Sequence, residues 1–275
     1  MRWHGLAGAL LVLTLAGCSA PDAAFARSAA AGSAAGATAT SSPAPSPAAD
    51  AVPSGPLAVV PAPVVVLDPG HNGGNAAHPE VVNAPVPDGA GGTKPCNTTG
   101  TATDAGFPEH AFTWDVALRV RDRLSAAGVT VVLTRVDAAG VGPCVDERGQ
   151  LAGRVGAAAF VSVHGDGAAA GGRGFHVITS SLDPAGPQVA ADSAALATAI
   201  RDAMTAIEPV SSYVGSAGLD SRPDLAGLNL NAVPAVYVEC GNMRNAADAA
   251  LMSAPGGRDA IADRLSAGVL AFLGR

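Results

Sequence analysis

The sequence predicts an α/β sandwich: a mixed, mainly parallel sheet flanked by helices, in a single domain. Three observations carry that expectation. From Val64 onward, short apolar runs of strand length alternate with longer segments whose apolar residues recur at helical spacing. Proline and glycine mark where the helical segments open and close. Three of the apolar runs, VVVLDPGH, FVSVH and PAVYVE, end in a histidine or a glutamate. In such sheets ligands sit beyond the carboxyl ends of the strands.

The elements follow in order. Val64 to Leu67 reads as a first strand, broken at Asp68-Pro69-Gly70. From Asn72 to Gly106 the chain is rich in Gly, Pro and Asn without a convincing period, a long insertion of the kind that is usually functional or disordered. Pro108 opens a helix whose Phe112, Val116, Val120 and Leu124 share one face, and Gly128 closes it. Val129 to Leu133 is a second strand, Glu147 to Ala158 a weaker helix, and Phe160 to Val163 a third strand. GFHVITS gives a fourth, Val189 to Ile207 a long alanine-rich helix, and LAGLNL a short strand candidate. Pro234 to Glu239 is a stronger strand, and helices at Ala246 to Met252 and Arg258 to Leu273 finish the chain.

The 275 residues suffice for one sizeable domain with accessory segments. A formal net charge of -7, with no basic tract, sets nucleic acid aside as a partner. Met1-Arg2 followed by the apolar run Leu6 to Ala16 is of signal-peptide length and too short to span a bilayer. It stops at Leu15-Ala16-Gly17-Cys18, which resembles a bacterial lipobox; cleavage after Ala24-Phe25-Ala26 is the soluble alternative. The expected organisation is a lipoprotein-type signal at 1–17, an Ala/Ser/Pro-rich tether at 18–62 and a catalytic domain at 63–275. Both routes export the chain; the first leaves it on the membrane through lipidated Cys18, facing the cell wall, and it is expected as a monomer. In an oxidising compartment Cys96, in the insertion, and Cys144, in the turn VGPC, look accessible and are expected to pair, with Cys240 a buried free thiol.

His71, His164 and Glu239 each stand at the carboxyl end of a strand. If those strands are neighbours, three polar groups converge on one rim. Glu109 joins them from the first turn of the helix after the insertion, where a carboxylate suits the positive helix end or points into the cleft. Two imidazoles and a carboxylate with an open fourth position form a recurrent catalytic zinc shell, and a second carboxylate outside it can shuttle a proton. His78 and His110 follow no strand, and His176, interrupting a strand pattern, reads as a lining or hydrogen-bonded residue.

LDPGHNGG, the helix-borne glutamate of FPEHAFTWDVALRVRDRL, SVHGDG and PAVYVECGNMRN resemble, in order, the four landmarks of zinc-dependent N-acetylmuramoyl-L-alanine amidases. The resemblance runs from about Val64 to the C-terminus. It implies His71, Glu109 and His164 as ligands of one zinc ion and Glu239 as the catalytic glutamate. It also implies peptidoglycan as the substrate, cut between the lactyl group of N-acetylmuramic acid and the L-alanine of the stem peptide. Three features depart from the family pattern: Asp166 where many members carry asparagine, Cys240-Gly241-Asn242-Met243 where glycine-phenylalanine is usual, and the Cys96-bearing insertion. The rival readings are a zinc peptidase acting within the stem, or a tethered wall-binding protein without catalysis.

Overall fold

The described residues of the computed structural model are 61–275; the expected signal and all but the last two residues of the tether lie outside them. Strand β1 (Val64–Pro69) leads into the insertion. The insertion is built from a 3-10 turn (Asn75–Ala77), a helical turn α1 (Pro79–Val82) and a hairpin of β2 (Pro85–Pro87) and β3 (Thr93–Pro95). Then come α2 (Glu109–Ala126), β4 (Thr130–Leu133), α3 (Val145–Arg154), β5 (Ala159–Asp166), β6 (His176–Ser180) and α4 (Pro187–Met204). The chain ends with β7 (Leu219–Arg222), α5 (Ala226–Asn229), β8 (Ala235–Asn242), α6 (Ala246–Ser253) and α7 (Pro255–Phe272). No helix among the described residues is long and apolar enough to cross a membrane.

The main sheet has the order β4-β1-β5-β8-β6-β7. The first four strands run parallel, β6 pairs antiparallel with β8, and β7 lies parallel to β6 at the edge. The expected mixed, mainly parallel sheet is therefore present, with β1, β5 and β8 side by side at its centre.

Alternation along those three strands sorts their side chains into two layers. Val65, Leu67, Val161, Val163, Val236, Val238 and Cys240 enter one core together with Phe112, Val116, Leu196, Ile200 and Leu265 from the helices. Val66, Phe160, Ala235 and Tyr237 enter the second core, under α3 and α5, with Ala152 and Leu228. Following the same period outward puts Asp68, Ser162, His164 and Glu239 on the second face, where the strands end.

Three expectations change. LAGLNL is a turn of helix: Leu228 packs into the second core while Gly227 lies so close to the Tyr237 ring that a Cβ there would sit 2.0 Å from its hydroxyl oxygen. A short apolar run does not distinguish strand from helix by period alone. Edge strand β7 was not anticipated, because LDSR is mostly polar and pairs on one side only. Cys96 is buried rather than accessible, and its bond to Cys144 (Cα–Cα 4.6 Å) ties the insertion to the start of α3. Cys240 is buried and free, as expected.

Candidate metal centre and cleft

The turn after β1 starts the site. His71 adopts a left-handed backbone conformation, φ 60°, uncommon for a residue with a side chain. Gly70 before it has no room for a side chain: a Cβ would lie 2.3 Å from Cε1 of His164. Beneath the turn, Arg148 of α3 spends its guanidinium on the carbonyls of Pro143, Pro69 and His71, on Asn72 Oδ1, and on Asp68 Oδ1 at 2.9 Å. Asp68 also accepts from Thr134 and Ser162. Burial alone would raise its pKa, but Arg148 and the two hydroxyls outweigh that and hold it below the ordinary carboxylate value.

Glu109, the first residue of α2, points into the cleft. Its Oε1 lies 3.1 Å from Nε2 of His71 and 3.0 Å from Nδ1 of His164. Oε1 also accepts from the amide of Gly165 and Oε2 from that of Thr101, so both oxygens are fixed. Burial opposes the charge on Glu109, yet the two imidazoles dominate and keep it well below the usual range. His71 is likewise desolvated, which would lower its pKa, but Glu109 raises it. The Nδ1 of His71 faces the carbonyl of Thr98 at 3.1 Å, a contact that leaves Nε2 with its lone pair toward the cluster when Nδ1 carries the proton. His164 stacks on the ring of Tyr237, centroids 5.0 Å apart.

One ligand atom from each of His71, Glu109 and His164 falls within 4.8 Å of the others. Donors about 2.0–2.2 Å from a tetrahedral zinc ion lie about 3.3 Å from each other, close to the two separations seen. The donor set of two imidazoles and one carboxylate, oriented by backbone groups, fits zinc.

Glu239 faces His164 across the β5–β8 ladder and lines the same cleft. Its Oε2 is buried and has no hydrogen-bond partner. Burial, then the charges of Glu109 and Asp166, raise its pKa well above the ordinary value, with Arg222 opposing. At the far rim Asp166 Oδ2 accepts from the Tyr213 hydroxyl at 2.9 Å.

All four residues singled out from the sequence thus meet in one cleft. The other histidines do not join the ligand cluster. His78 pairs with Glu80 on the surface. His110 offers its carbonyl to Arg135. His176 is buried across from Glu239 with Nδ1 unpartnered. Thr98, Tyr237, Gly70 and Arg148 were not anticipated, since each acts through a neighbour far away in sequence.

The family profile described as N-acetylmuramoyl-L-alanine amidase matches residues 65–271. A curated N-acetylmuramoyl-L-alanine amidase of Mycobacterium tuberculosis is 47% identical over 211 residues, 76% of this chain and 86% of that protein. The crystal structure of the N-acetylmuramyl-L-alanine amidase Ami1 from Mycobacterium smegmatis is similar at 48% identity and TM-score 0.73, covering 77% of this chain and 97% of that one. The apo form of Ami1 from Mycobacterium abscessus gives 45% identity and TM-score 0.74, covering 78% and 100%.

Proposed function

The chain belongs to the N-acetylmuramoyl-L-alanine amidase family, and from that membership we propose how its cleft works. The protein is a hydrolase of peptidoglycan amide bonds. Its bond is the one between the lactyl group of N-acetylmuramic acid and the L-alanine of the stem peptide. His71, Glu109 and His164 hold one zinc ion, and Glu239 moves the proton. The observation that carries this reading is the convergence of His71, Glu109 and His164 within 4.8 Å, with the unpartnered oxygen of Glu239 in the same cleft.

A zinc ion held there supplies a Lewis acid that polarises the scissile carbonyl and makes a water more acidic. The chain's residues do the rest. Thr98 and the Tyr237 ring orient the two imidazoles, and the amides of Thr101 and Gly165 fix Glu109. Glu239 accepts a proton from the attacking water as its oxygen bonds to the lactyl carbonyl carbon. It returns that proton to the alanine nitrogen as the C–N bond breaks, leaving a lactyl carboxyl and a free peptide amine.

The test separates metal binding from proton transfer. Glu239→Gln keeps the reach of the side chain but not its basicity, so the variant should retain zinc and turn over about 10² to 10⁴-fold more slowly. His71→Ala and His164→Ala should lose the zinc. Near wild-type turnover in Glu239→Gln, or stoichiometric zinc in both alanine variants, contradicts the assignment. The protein also reads as exported and held on the membrane through Cys18. Since stable anchoring takes two acyl chains, Cys18→Ser should release it from the membrane fraction; retention there favours another anchor.

A further inference from the structure

Beside the ligand cluster lies a pocket of about 180 Å³ that the reaction above does not use. It shares His71, Thr98, His164, Leu225 and Tyr237 with the cleft, but Glu239 does not line it. Its walls are otherwise mostly apolar: Pro95, Val145, Leu225, Ala226 and the Tyr237 ring. Most of its polar groups are spent. Arg148 is committed to Asp68, Asn72 and three carbonyls, and Asp68 to Arg148, Thr134 and Ser162.

One donor remains. Lys94, on β3 of the insertion hairpin, is the only lysine in the chain. Its ammonium makes one hydrogen bond, to the backbone carbonyl of Asp224 at 2.6 Å. The carboxylate of Asp224 is engaged by both Nε and Nη2 of Arg222, and among the described residues no carboxylate lies within ion-pair distance of Lys94. Asn97 also lines the pocket, but its Oδ1 accepts from the amide of Thr98 and its Nδ2 is fully buried, out of reach of a ligand. A half-buried lysine whose ammonium has unspent donors, beside apolar walls, suits an anion on a short aliphatic carrier. Burial lowers the Lys94 pKa from its ordinary value, with the charge of Asp224 opposing.

The hairpin is held in place. Asn229 Nδ2 donates to the carbonyl of Asp88 at 3.0 Å, and Cys96, two residues after Lys94, is bonded to Cys144. The ammonium is therefore positioned before any ligand arrives.

We propose that Lys94 is a specificity determinant that reads a carboxylate of the stem peptide, seated in this pocket. The proposal rests on the amidase reading. The single carboxyl of N-acetylmuramic acid is tied up in the scissile amide, so in the intact substrate the free carboxylates belong to the peptide. A second source of the same chemistry is the lactyl carboxylate of the product, which the test distinguishes.

Muropeptides whose peptide carboxyls are free are compared with the same compounds as carboxamides. Wild type should prefer the carboxylate about tenfold or more, as a charge-assisted hydrogen bond implies, with the difference in KM rather than kcat. Lys94→Met should treat the two substrates alike, and Lys94→Arg should keep part of the preference. A preference that persists in Lys94→Met, or a wild type that cleaves both equally well, overturns the proposal and leaves the amidase reading intact. Absence of any free peptide beginning with L-alanine is the separate signature of failure of that reading. A binding arm needs no turnover. Reductive methylation with ¹³C-formaldehyde gives one lysine side-chain signal, which the sugar-free peptide should shift and its carboxamide should not. A shift by N-acetylmuramic acid instead assigns the pocket to the product and contradicts the proposal.

Discussion

Replacing Arg148 by methionine removes the cation from beneath the His71 turn and leaves Asp68 buried without it. Both side chains of this pair are 2% exposed. Breaking a buried ion pair by removing one partner costs about 3–5 kcal/mol, because the remaining charge is uncompensated. For a domain of this size each kcal/mol lowers Tm by about 2–4 °C, so the expected loss is about 6–20 °C. Asp68→Asn in the same background should recover part of it, since the amide tolerates burial better than the carboxylate. Recovery stays incomplete, because the carbonyls of Pro143, Pro69 and His71 still lack their donor. The pH dependence has a definite sign. The pKa of Asp68 is lowered in the folded state, so the pair's contribution is complete above the unfolded value of about 3.9 and lost as pH falls through the folded one. The stability gap between wild type and Arg148→Met should therefore narrow in acid without closing, since the three carbonyls still lack their donor. The assay is urea and thermal unfolding of wild type, both single variants and the double. A loss under about 1 kcal/mol, or strictly additive single costs, refutes the reasoning.

Two further changes test the frame around the site. Removing the Cys96–Cys144 bond, which spans a sequence separation of 48, should cost about 4 kcal/mol in the chain-entropy model; thermal melts of the double alanine variant check it, and an unchanged Tm counts against it. Gly70→Ala would place a methyl 2.3 Å from Cε1 of His164. Because displaced second partners typically weaken metal binding 10- to 100-fold, zinc affinity by competitive chelation should fall about tenfold or more, and unaltered affinity would show that the ring has room to move.

The central strands and the four site residues were legible because each carries its own signal. Val64 to Leu67, Phe160 to Val163 and Pro234 to Glu239 are apolar runs that end abruptly in a polar group, and strand period then fixes which face that group takes. The helix bearing Glu109 announces itself through Pro108 and the spacing of Phe112, Val116, Val120 and Leu124. What stayed hidden depends on contacts between distant segments. Nothing in VDERGQ marks Arg148 as the residue that lies under β1. The hairpin around Asp88 has prolines at the ends of both strands, and its position comes from Asn229, Lys94 and the disulfide rather than from any local period. Edge strand β7 has only Leu219 to mark it.

The most direct test of the central claim is the mass of the products released from intact muropeptides by the zinc-loaded protein. The account predicts free stem peptides beginning with L-alanine, together with sugars carrying an unsubstituted lactyl carboxyl, and about 10² to 10⁴-fold less of both from Glu239→Gln. Shorter peptides with the lactyl–alanine amide intact would indicate a peptidase, and unaltered muropeptides a binding protein; either result contradicts it.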